Sequence, residues 1–142
     1  MHHLIYLSQA TRPLSAKALT CLLDQAWQAN AGQQLTGALV YSNKRFIQLL
    51  EGEQAVLEAA CARICRDPRH QHLCQVAHYP IAARYFPDWP LAFQSLSPTQ
   101  FAHLVGYLVP TKSGPYFPDY GANAPSFVEA LCALVQAPVV PY

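Results

Sequence analysis

The chain has 142 residues, 52% of them apolar and 12% charged, with a formal charge of +1. Those figures suit one domain with a real hydrophobic core and exclude extensive disorder. There is no Lys/Arg cluster to attract nucleic acid, no apolar run near the roughly 20 residues needed to span a bilayer, and no basic signal-peptide start in Met1-His2-His3-Leu4, so a cytoplasmic protein that binds neither nucleic acid nor membrane is expected.

His3 to Leu7 is a β-rich apolar run ended by Ser8-Gln9 and a turn at Thr11-Arg12-Pro13, which predicts a first strand. Ser15 then caps a helix whose apolar residues Leu19, Leu22, Leu23, Ala26 and Trp27 recur at three and four residue spacings, up to Asn30-Ala31-Gly32. Leu35–Tyr41 and Arg45–Glu51, separated by Ser42-Asn43-Lys44, read as a hairpin. Within its second strand, Gln48 places a primary amide in the apolar run Phe46-Ile47-Gln48-Leu49-Leu50-Glu51-Gly52. An unmet buried polar group costs on the order of 1–3 kcal/mol, so a hydrogen-bonding partner is expected beside Gln48.

Glu53 to Arg66 repeats the helical period through Val56, Leu57, Ala60, Cys61 and Ile64 until Asp67-Pro68 stops it. Cys61 and Cys65 lie one turn apart and His70, His72 and His78 follow, which raises a zinc site. Neither CxxC nor HxxxH occurs, however, and the five cysteines fit reduced thiols at core positions of their elements. Leu73–Tyr79 reads as a fourth strand, and Phe86-Pro87-Asp88-Trp89-Pro90-Leu91-Ala92-Phe93 leads into a short fifth. From Ser97 a short apolar helix runs through Phe101, Leu104, Val105 and Leu108. An irregular Pro/Gly/aromatic connection from Pro110 to Pro125 follows, and then a last helix over about Ser126–Gln136.

The order βαββαββ predicts an α+β, ferredoxin-like sandwich with an antiparallel or mixed sheet, two helices on one sheet face and a C-terminal helical appendage. The first and third strands are then central neighbours, which brings Tyr6 close to Gln48. The division expected is a core of residues 1–96 and an appendage of residues 97–142 packed on it, the latter being the expected output region.

Leu4-Ile5-Tyr6, Asn30, Leu35-Thr36-Gly37-Ala38-Leu39-Val40-Tyr41, the run Phe46–Gly52, Asp67-Pro68-Arg69-His70 and Arg84-Tyr85-Phe86-Pro87-Asp88-Trp89 together resemble the BLUF family of flavin-binding blue-light sensors, over roughly residues 2–95. The resemblance implies non-covalent FAD, with FMN as the alternative, lying between the two helices over the sheet. It assigns Tyr6 as photoactive tyrosine, Gln48 as switching glutamine, and Asn30 as the asparagine on the polar edge of the ring. Arg63, Asp67 and His70 would contact the ring edge, ribityl chain or phosphates, Leu22, Leu23, Ala26 and Ile64 would wall the ring, and Trp89 is a further photochemical candidate. Light-driven electron and proton transfer from Tyr6 and rearrangement of Gln48 would change the hydrogen bond to the flavin C4 carbonyl, with no substrate turned over. Where the family commonly has Trp, a polar residue and Met, this chain has Trp89-Pro90-Leu91, which affects signal output more than light detection.

Such a chain would signal to a downstream protein through its appendage, or change its homo-oligomeric state, with Phe101, Tyr107, Tyr116, Phe117 and Tyr120 as exposed contact candidates, roughly half of which are expected instead to seal the open face of the sheet. Two other functions fit the fold class: a small acylphosphatase-type hydrolase and a flavin-free binding module. The hydrolase needs an anion-binding loop after the first strand, and Ser8-Gln9-Ala10-Thr11-Arg12-Pro13 is not glycine-rich.

Overall fold

The computed structural model describes residues 1–108 and 120–135. The elements in order are β1 (His2–Ala10), α1 (Ala16–Gly32), β2 (Thr36–Ser42), β3 (Arg45–Gly52), α2 (Gln54–Cys65), β4 (His70–Pro80), β5 (Ala92–Ser95), α3 (Pro98–Leu108) and α4 (Tyr120–Leu134). Local chemistry accounts for the main boundaries. The Ser15 hydroxyl accepts from the Ala18 N–H and caps α1. Asn43 and Lys44 both take positive φ, 47° and 68°, as the two-residue turn of the β2–β3 hairpin requires.

The five strands form one sheet in the order β4-β1-β3-β2-β5, antiparallel except that β5 runs parallel to β2. The expected central pairing of the first and third strands is therefore present, with Tyr6 directly opposite Gln48. Alternation divides the sheet. Leu4, Tyr6, Leu39, Phe46 and Leu50 pack with Leu22, Leu23, Leu57 and Ala60 of α1 and α2. Ile5, Ala38, Val40, Ile47 and Leu49 on the other face pack with Phe101, Leu104 and Leu108 of α3 and Phe127, Val128 and Leu131 of α4. Burying a side chain of this size is worth about 1.5–3 kcal/mol, so lifting both C-terminal helices off the sheet is strongly disfavoured.

The starts of β4 and α4 differ from the sequence reading by several residues. β4 begins at His70, not Leu73, because a bulge near Leu7–Gln9 and a left-handed His72 (φ 54°) break the two-residue period that would have marked its start. α4 begins at Tyr120, so the irregular connection does not reach Pro125. Tyr116, Phe117 and Gln136 lie outside the described residues, as does the side chain of Tyr120.

Candidate functional site

Between α1 and α2, above the middle of the sheet, lies a cavity of about 250 Å³. Leu22, Gln25, Ala26 and Ala29 reach it from a single stripe of α1, where the two alanines leave room that larger side chains would fill. Arg63 and Ile64 enter from the last turn of α2, Asp67 and Arg69 from the loop after it, and His70 from the start of β4. The floor is Tyr6, Leu39 and Gln48, three residues of adjacent strands that share one sheet face.

Tyr6 is fully buried and its hydroxyl donates to Gln48 Oε1. That bond supplies the partner expected for the buried amide and leaves both amide N–H groups for an occupant of the cavity. A tyrosine hydroxyl and a primary amide can each donate or accept, so the same pair can bond with the amide turned either way. Burial, then the neighbouring Cys61 and Cys65 thiols, push the Tyr6 phenol well above its ordinary range, so it stays protonated at any physiological pH.

Asn30 is only 3% exposed. Although it sits at a helix end, its side chain is not the cap: Nδ2 donates to the Pro90 carbonyl at 2.9 Å, while its backbone carbonyl accepts from the Gln33 and Leu35 N–H groups. The strand-5 proline therefore contributes an acceptor, and β5 begins beyond it at Ala92.

The rim is polar. Arg69 grips Asp67 with NH2 at 2.6 Å and reaches Gln25 Oε1 with NH1 at 2.8 Å. Those Arg69 side-chain hydrogen bonds hold the Asp67 carboxyl below the usual range and keep it ionised. His70 Nδ1 lies 3.1 Å from Ser8 Oγ, its ring rests 5.1 Å from that of Phe46, and burial lowers its pKa.

Of the residues singled out from sequence, Tyr6, Gln48, Asn30, Arg63, Asp67, His70, Leu22, Ala26 and Ile64 line this one cavity. Leu23 does not; it is buried in the cluster containing Leu91 and Phe93. Trp89 is also absent from the lining, and its ring packs edge-on against Trp27 of α1, 6.0 Å away. The sequence reading missed Gln25, Ala29, Leu39 and Arg69. Helical spacing from Leu22 would have found the first two, and Leu39 is the register partner of Gln48.

The first 92 residues match the family model described as "BLUF: Sensors of blue-light using FAD". The chain belongs to the BLUF family. Photoactivated adenylate cyclase subunit beta of Euglena gracilis is 39% identical to it over 89 residues, and subunit alpha is 32% identical over 91. These matches cover 62% and 63% of this chain but only 10% and 9% of those proteins, so the chain aligns with about a tenth of the length of its curated relatives. Among solved structures, "BlrB - a BLUF protein, dark state structure" superposes with a TM-score of 0.65 at 26% identity, covering 93% of this chain and 95% of that one. "BlsA photo-activated state" gives 0.73 at 23% identity, over 96% and 95% of the two chains, a likeness of fold. These BLUF neighbours share the ferredoxin-like arrangement found here, and no helix among the described residues is long and apolar enough to cross a membrane.

FAD is the flavin of this family, and the BLUF cavity of this chain suits it chemically. A volume of about 250 Å³ falls just under the ~300–1,000 Å³ of sites that enclose a whole drug-sized ligand, which fits a held ring system with its tail toward the rim. Leu22, Ala26, Leu39 and Ile64 offer apolar walls, Gln48 and Asn30 offer amides to a polar ring edge, and Arg63 and Arg69 offer cationic donors at the rim.

Proposed function

We propose that this BLUF chain senses blue light through Tyr6 and Gln48, with Asn30 orienting the ring edge and Arg63, His70 and the Asp67–Arg69 pair holding the outer part of the flavin. When bound, FAD supplies the light absorption and the strong excited-state oxidant. Tyr6, unable to ionise beforehand because of its burial, releases an electron and then its hydroxyl proton toward the Gln48 side. Gln48 would then rearrange its amide, by rotation or tautomerisation, so that it donates a new hydrogen bond to the ring's C4 carbonyl, with no change in net charge. Return of electron and proton to Tyr6 restores the original pairing in the dark. The observation that carries this reading is the Tyr6–Gln48 hydrogen bond at the floor of a cavity in which a second amide, Asn30, is held by Pro90.

FAD is favoured over FMN by the family description, although the relative "Klebsiella pneumoniae BlrP1 with FMN and cyclic diGMP" carries FMN. Output passes through residues 97–142 to a signalling protein, or through self-association. Burial of Phe101, Leu104, Phe127 and Leu131 favours a sliding or tilting of α3 and α4 over their release. None of the five cysteines takes the core position expected of it, since Cys21, Cys65 and Cys74 are exposed and Cys61 and Cys132 only partly buried, but all are unpaired, which fits action in the reducing cytoplasm. Absorption spectra of the purified chain in the dark, after blue light and during recovery test the reading: a flavin band with a small reversible red shift is expected, and bound flavin that never shifts rejects it. Gln48→Leu should keep flavin and lose the shift, and Tyr6→Phe should block the photocycle. A wild-type response in either variant removes that residue from its role.

A further inference from the structure

The sheet face opposite the cavity holds a second buried polar cluster, which the light chemistry above does not use. His3 and Glu51 are register partners across β1 and β3, and both are fully buried. The Glu51 carboxylate accepts from His3 Nε2 at 2.8 Å, Thr36 Oγ1 at 2.9 Å, and the N–H groups of Tyr85 at 2.6 Å and Phe86 at 2.8 Å. Arg84 adds to the same clamp, donating to Thr36 Oγ1 and to the Glu51 and Gln34 carbonyls at 2.8, 3.0 and 2.8 Å. The connection from β4 to β5 is thus pinned at residues 84–86 to the ends of the hairpin strands.

Just beyond the pin, the same connection meets the flavin cavity. The Trp89 N–H donates to the Phe86 carbonyl at 3.3 Å, and the Trp89 carbonyl accepts from the Gly37 N–H at 3.2 Å. A Cβ at position 37 would run into the Leu49 carbonyl, so only glycine lets the strands and this segment meet here. The next carbonyl, that of Pro90, holds Asn30. Because a backbone carbonyl can only accept, it decides which end of the Asn30 amide faces it.

We propose that Glu51 is a positioning residue for the flavin site: by clamping the N–H groups of Tyr85 and Phe86, its carboxylate places the Pro90 carbonyl and so sets the orientation of the Asn30 amide. The proposal rests on the reading of the cavity as the flavin site. Two oxygens with four lone pairs match the four donors, whereas an amide would turn its NH₂ against either the His3–Tyr85 pair or the Thr36–Phe86 pair.

The test uses the full chain loaded with FAD. Glu51→Gln should change the dark-recovery rate by about fivefold, the rate equivalent of one ordinary hydrogen bond. It should also move the Asn30 side-chain amide signals in a nitrogen–proton correlation spectrum. In an Asn30→Ala background the same substitution should leave recovery unchanged, because the route ends at Asn30. Equal factors in both backgrounds, or unmoved Asn30 signals, overturn the proposal. If Glu51→Gln does not fold, Thr36→Val removes one donor at nearly constant shape, and the same two readouts decide. A wild-type chain that binds FAD without a light-induced shift rejects the photocycle; the Asn30 signals then still decide for or against the role of Glu51.

Discussion

Two buried polar pairs lie across the same two strands, three register positions apart: Tyr6 opposite Gln48, and His3 opposite Glu51. They face opposite sides of the sheet and obey different hydrogen-bond logic. Tyr6 and Gln48 can each donate or accept, so the pair has more than one satisfied arrangement and keeps donors free for a ligand. An ionised carboxylate only accepts, and four donors surround that of Glu51, so the second pair has one arrangement. A strand pair locked on one face can hold a reversible hydrogen bond on the other without slipping register.

Replacing the locked pair should have the largest effect. Glu51→Leu leaves four buried donors unmet and should destabilise the fold by about 3–5 kcal/mol, read by urea unfolding. Gln48→Leu leaves only the Tyr6 hydroxyl unmet, so a loss of about 1–2 kcal/mol is expected although the photoresponse disappears. Comparable losses at both positions would erase the distinction.

Acid sharpens the comparison. Burial alone would raise the Glu51 carboxyl, but hydrogen bonds from His3, Tyr85, Phe86 and Thr36 outweigh it and hold the folded value below the ordinary 4.5. Its contribution is therefore complete above pH 4.5 and lost as pH falls through the lower folded value. On the cavity side, burial holds His70 below 6.5, so the folded state resists protonation and stability begins to fall as pH drops below 6.5. His70→Gln should flatten that upper slope in pH-dependent unfolding and leave the more acidic loss in place. The smallest effect is expected for Arg69→Ala at the half-exposed rim, under about 1 kcal/mol. Weakened FAD retention in equilibrium dialysis, with little change in unfolding, would separate its binding role from stability.

Patterns local in the chain were legible before the fold was known. Helical periodicity placed Leu22 and Ala26 on the cavity side of α1, and the odd amide in Phe46–Gly52 marked Gln48. Leu23, next to Leu22, shows the limit of that reading: both are inward, yet only one lines the cavity. Trp89 shows it again, since a conspicuous motif residue turned toward Trp27. Glu51 was read only as the end of an apolar strand, because its partners come from β1, β2 and the loop before β5.

The sequence by itself determined the order of elements and the amide at position 48, which follow from spacing along one strand or helix, and that order implied the pairing of β1 with β3 through the ferredoxin-like arrangement it predicts. Only the tertiary structure decided that Asn30 is held by Pro90, that Arg69 and Asp67 join at the rim, and that α3 and α4 cover the second sheet face. Asn30 and Pro90 are 60 residues apart, and a hydrogen bond over that distance depends on the packing of every element between them.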